Sequence, residues 1–134
     1  MKIFLICSVR GAPPEVLQNQ WLYVCALESW GHRVHYPPRD TNQTASGLEI
    51  CRQNADAISE ADEVHIFYRP DSQGTHFDMG VTFALGKRIK VANSIEYGTG
   101  KSYARMLDEW ENAGLGDIDL CDRACDCSPN GDLI

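Results

Sequence analysis

Four strand-like runs, each followed by a helical pattern, leave this chain few ways to fold. The first, Lys2-Ile-Phe-Leu-Ile-Cys7, is continuously apolar, as a central parallel strand is. Ser8 to Pro14 breaks it, and a helix is predicted from about Glu15 to Trp30, with Val16, Trp21, Val24, Cys25 and Leu27 among its apolar positions and Gly31 as its stop. Arg33 to Tyr36 reads as a second strand, and Pro37 to Ser46 as a long loop, the kind that is often functional. A second helix over Leu48 to Ser59, a third strand over Asp62 to Tyr68, and a third helix ending at Gly86 follow. A fourth strand over Arg88 to Asn93 and a last helix over Ser102 to Ala113 complete the pattern. Strands alternating with helices argue for an α/β fold with a parallel sheet covered on both faces. The expectation is a Rossmann-like sheet of four to five strands in flavodoxin-like order, 2-1-3-4.

Residues 1–113 carry this pattern as one domain, and 114–134 form an acidic, cysteine-containing extension without clear periodicity. No apolar run is long enough to span a membrane. Lys2 to Cys7 is too short for the apolar region of a signal peptide, so a cytoplasmic protein is expected. A net charge of −7 argues against a nucleic-acid polymer as partner but leaves room for a small anion held by a helix end and an arginine. Cys7, Cys25 and Cys51 sit in apolar patterns and read as small core residues. Cys121, Cys125 and Cys127 lack a fourth zinc ligand at any common spacing, and His32, His35, His65 and His76 show no metal spacing, so no metal site is expected. His65, within a strand, reads as a satisfied core or edge residue.

In an open α/β sheet, ligands sit at the carboxyl ends of strands, beside the switch in strand order. Two polar turns fall there. Ser8, Arg10 and Gly11 follow the first strand, and Arg10 and Ser8 could hold a phosphate or sugar hydroxyls. Ser72 and Gly74 precede the third helix, where exposed N–H groups favour an anion and Gly74 lets the backbone approach closely. Neither a full G-x-G-x-x-G nor a P-loop lysine is present. Asp78 is predicted in the first turn of that helix. Thr75-x-x-Asp78 has capping-box spacing, so on spacing alone Asp78 is a cap; otherwise it is a carboxylate that attacks an electrophilic carbon or steadies a cation. Asn54 lies between Ile50 and Ile58 on the inward face of the second helix, while Asp56, roughly 200° away, faces solvent. Its amide pairs with a core backbone group or lines the crevice, and the pattern favours neither.

Together these residues resemble a family. Cys-Ser-Val-Arg-Gly (7–11) is similar to the G-S-[IV]-R-G motif of 2′-deoxynucleoside 5′-phosphate N-hydrolases, and Ser72 to Gly80 resembles their S-x-G-x-G-[YF]-E-L-G motif. Ala61-Asp62 and Gly86-Lys87 match as well. The wider group is the nucleoside 2-deoxyribosyltransferase-like family. The resemblance implies a Rossmann-like homodimer or higher homo-oligomer acting on a small nucleoside or nucleotide, without metal or redox cofactor. It implies cleavage or transfer at the N-glycosidic bond by a carboxylate that attacks C1′. It places the nucleophile at Asp78, the assisting acid at Asn54, phosphate contacts at Ser8, Arg10, Gly11 and Ser72, and a serine from a neighbouring subunit at Ser102. Both catalytic positions depart from the motif. Asp is shorter than the family's Glu by about an ångström, a misplacement that can cost roughly 10²-fold in rate. Asn54 replaces an Asp and can orient but not exchange a proton. A variant enzyme and a nucleotide-binding protein without turnover both remain open.

Overall fold

The computed structural model describes residues 1–113. Four parallel strands, β1 (Lys2–Ile6), β2 (Arg33–His35), β3 (Glu63–Ile66) and β4 (Ile89–Val91), form one sheet in the order β2-β1-β3-β4. The predicted order is the observed one. The expected extension at 114–134, with its possible fifth strand and its three cysteines, lies outside the described residues.

The helices are α1 (Pro14–Ser29), α2 (Pro37–Asp40), α3 (Gly47–Glu60), α4 (Gln73–Ala84) and α5 (Tyr103–Ala113). Alternation along β1 divides the core. Ile3, Leu5 and Cys7 pack with Val24 and Leu27 of α1, and with Val34, Tyr36 and Phe67. Phe4 and Ile6 face the other way, into Ile58 of α3, Met79 of α4 and Leu107 and Trp110 of α5. Each fully buried aliphatic side chain contributes roughly 1.5–3 kcal/mol, so the central strand anchors both layers. On the α1 side β3 is polar: His65 is buried between the Tyr23 hydroxyl (2.6 Å) and the Glu63 carboxylate (2.7 Å), the satisfied histidine expected there.

Both predicted glycine stops operate. Gly31 (φ +90°) follows α1, with its N–H on the Glu28 carbonyl and that of His32 on Leu27. Gly86 (φ +65°) ends α4 with the same paired bonds, to Phe83 and, from Lys87, to Thr82. These turns return the chain to the sheet after each helix.

Four expectations fail. Cys25 is exposed, Cys51 is only half-buried, and Trp21 keeps 45% of its surface. The buried line of α1 is Gln20, Val24 and Leu27, and the polarity of Gln20 hides its phase. Gln20 is fully buried because its amide donates to the Ser8 carbonyl (3.3 Å) and accepts from the Tyr36 hydroxyl (3.2 Å). Pro37–Asp40 is a short helix rather than loop. Prolines suit its first turn, the Asp40 carboxylate accepts from the Tyr36 N–H (2.8 Å), and Arg39 is held by Glu28, Asp40 and the Val34 carbonyl.

Candidate active site

The turn after β1 and the turn before α4 border one cavity of about 430 Å³. Cys7, Val9 and Arg10 line it from the first turn; Asp71, Ser72, Gln73, Gly74 and Asp78 from the second; Pro37, Gln43, Ile50 and Asn54 close the rest. The strand order explains the meeting, because β1 and β3 are neighbours and both chains leave the sheet at their carboxyl ends.

Ser72 is the N-cap of α4: its hydroxyl accepts from the Thr75 N–H at 3.2 Å. The helix therefore begins at Gln73, and Asp78 lies in its second turn. The capping-box reading of Thr75 and Asp78 is thereby overturned, since an earlier serine has taken the role. The Asp78 carboxylate instead accepts from the Asn54 amide at 3.3 Å. Asp78 is 7% exposed, and that remnant faces the cavity. Burial pushes its pKa up to about 7, with the Asn54 hydrogen bond pulling the other way. The Cys7 thiol lines the same wall. Burial, and then the Asp78 charge, raise its pKa well above the ordinary thiol value, so it stays protonated.

Asn54 faces the cavity and Asp56 faces solvent, as the helical period requires. The Asn54 carbonyl oxygen accepts from the Thr41 hydroxyl at 2.7 Å, and His35 Nε2 meets that hydroxyl at 2.9 Å. The partner of Asn54 is thus a side chain from the loop after α2, not a core backbone group. Neither Thr41 nor His35 carries a sequence signal, because the loop reaches α3 only in the folded chain. Its neighbour Asn42 is fastened there by the Gln53 side chain (3.0 Å).

The other candidates divide. Arg10 is exposed at the cavity rim. Ser8 and Gly11 adjoin the lining without forming it; the Ser8 hydroxyl is buried and has no hydrogen-bond partner among the described residues. Gly11 turns the chain at φ +72°, which favours glycine. A Cβ built on Gly74 would meet no protein atom within 4 Å, so that position is open to the cavity. Ser102 is elsewhere: it caps α5 through the Arg105 N–H (3.0 Å) and lines a separate cavity with Tyr68 and Tyr97. Within one chain it does not reach Asp78. His76 is held by the Tyr68 hydroxyl and the Ser72 carbonyl and does not line the Asp78 cavity. Among the described residues no three His, Cys, Asp or Glu side chains converge to hold a metal, and no helix is long and apolar enough to cross a membrane.

Among the solved structures that resemble this fold are two enzymes. One is a 2-deoxyribosyltransferase from the psychrotolerant bacterium Bacillus psychrosaccharolyticus, with TM-score 0.59 and 20% identity, covering 72% of this chain and 77% of that one. The other is a CMP N-glycosidase from Clostridium botulinum, with TM-score 0.54, 24% identity and 84% of each chain covered. This chain shares their fold. No family model and no curated protein matches the sequence. At such identities the likeness fixes architecture, and the chemistry rests on the residues around Asp78.

Proposed function

We propose that this protein cleaves or transfers the N-glycosidic bond of a nucleoside or nucleoside 5′-monophosphate, with Asp78 acting at the anomeric carbon. The observation that carries this reading is a desolvated carboxyl facing a sugar-sized cavity, held by an amide, at the switch point of the sheet. The two structural neighbours, a deoxyribosyltransferase and a CMP N-glycosidase, support the bond type.

In this reading the ionised Asp78 oxygen bonds to C1′ while the C1′–N bond breaks. The base leaves with that electron pair and takes a proton from solvent. Water then attacks C1′, returns the Asp78 carboxylate and releases a proton; a second base in place of water gives exchange. Asn54 steadies the carboxylate by its N–H and exchanges no proton. Arg10, the Ser72 hydroxyl and the free N–H groups of Gln73 and Gly74 would receive a 5′-phosphate. As proposed from the family motif, Ser102 would act only from a neighbouring subunit.

The test is release of free base from nucleosides and nucleoside 5′-monophosphates, followed chromatographically. Release by the wild type and its loss in Asp78→Asn support the proposal; release unchanged in that variant refutes the role of Asp78. A binding protein without turnover is favoured by one observation: amide chemistry at Asn54, where the family motif implies an acid. Thermal stabilisation by a nucleotide without base release would establish that reading instead.

A further inference from the structure

Asn54 is gripped from two sides. Its Nδ2 donates to Asp78 and its Oδ1 accepts from Thr41, which is only 4% exposed. A hydroxyl has one proton to donate. With that proton given to Asn54, the 2.9 Å contact from His35 closes only if Nε2 carries hydrogen. The row then runs in one donor direction: His35 to Thr41 to Asn54 to Asp78. The opposite direction is equally complete. A protonated Asp78 donates to the turned amide, Asn54 Nδ2 donates to Thr41, and the Thr41 hydroxyl donates to a bare Nε2. The first direction suits a carboxylate and the second a carboxylic acid, and the heavy-atom positions serve both.

We infer that His35 and Thr41 are positioning residues of this site: they decide which end of the Asn54 amide meets Asp78, so the ring tautomer of His35 and the proton on Asp78 change together. The His35 ring is stacked on Phe4, with centroids 5.1 Å apart and planes 14° from parallel, which keeps Nε2 aimed at Thr41. Burial holds the His35 pKa below its ordinary value, which favours the neutral ring, and the ring nitrogen shifts distinguish a change of tautomer from a change of charge. Asp40, Arg39 and Glu60 act on His35; Cys7 and Asn54 face Asp78, with Arg10 and Asp71 on the same cavity. The inference rests on the proposed function only in concerning the same carboxyl.

NMR on the free protein tests it without substrate. The nitrogen shifts of His35 and the carboxyl carbon of Asp78 are followed from about pH 5 to about pH 9, a window around the Asp78 midpoint. The expected result is one shared midpoint, with His35 protonated at Nε2 above it and at Nδ1 below it. Thr41→Val should break the row, so that the Asp78 titration no longer changes the His35 tautomer. Thr41→Ser, which keeps the hydroxyl, should restore the shared midpoint. A His35 tautomer that does not change across the Asp78 midpoint overturns the inference in the wild type alone. So does a folded Thr41→Val protein in which the His35 tautomer still changes at the Asp78 midpoint, or a Thr41→Ser protein that behaves like the valine variant. Absence of base release would leave these titrations untouched and count only against the N-glycosidic reading.

Discussion

Replacing Asp78 with asparagine should make the protein more stable, and increasingly so as pH rises. The native carboxyl titrates near 7 against an ordinary value of 3.8. Between those values the native state keeps a proton that the unfolded chain has lost, so stability falls as pH climbs. It falls by up to about 1.36 kcal/mol per pH unit and levels off once the native carboxyl is ionised. The shift of about three units sets the total near 4 kcal/mol, a large part of the 5–15 kcal/mol that holds a typical domain together. Asparagine preserves the shape, lets the Asn54 N–H keep a carbonyl acceptor, and does not titrate. Urea unfolding at a series of pH values measures the difference. Wild type and Asp78→Asn should be nearly matched near pH 4, and the variant should lead by about 4 kcal/mol above pH 8. A gap that does not vary with pH would refute the reasoning. So would a variant that is less stable at alkaline pH, the result expected of a helix cap, whose loss costs about 1 kcal/mol.

The same titration predicts the rate. Because attack needs the ionised oxygen, kcat/KM should fall roughly tenfold per pH unit below about 7 and be flat above it; a profile flat across that range would exclude Asp78 as the attacking group. Arg10→Gln should raise KM for a nucleoside 5′-monophosphate about 10- to 100-fold, the worth of a charge-assisted contact, and leave the unphosphorylated nucleoside nearly unaffected. Equal losses on both substrates would remove the phosphate from Arg10.

The sheet was legible because buried parallel strands are apolar without interruption, and Lys2 to Cys7 is such a run. The two turns were legible because strand order alone brings them together. Asn54 was legible as an inward-facing residue from the period shared with Ile50 and Ile58, but the period left open whether it met a core backbone group or the crevice. Asp78 was misplaced by one turn because Ser72 and Thr75 both qualify as caps, and only the backbone path decides between them. The inward line of α1 was misread because its first member is Gln20, whose burial depends on hydrogen bonds to Ser8 and Tyr36 from elsewhere in the chain. His35 and Thr41 were invisible for the same reason: their roles arise from a loop folding against a helix.

Beyond the ends of β3 and β4, the sheet is continued by a side chain. Asn93 accepts the Tyr68 N–H at 2.8 Å and donates to the Tyr68 carbonyl at 2.9 Å, the two bonds a neighbouring strand would have made. Tyr68 is thus the last fixed point before the chain departs toward Ser72. The pairing of strands thus passes to a side chain where the backbone ladder stops, and the wall that Tyr68 gives to the cavity beside Ser102 is fixed by an amide rather than by a strand. Changing Asn93 would therefore loosen that wall while leaving the backbone pairing of β3 with β4 intact.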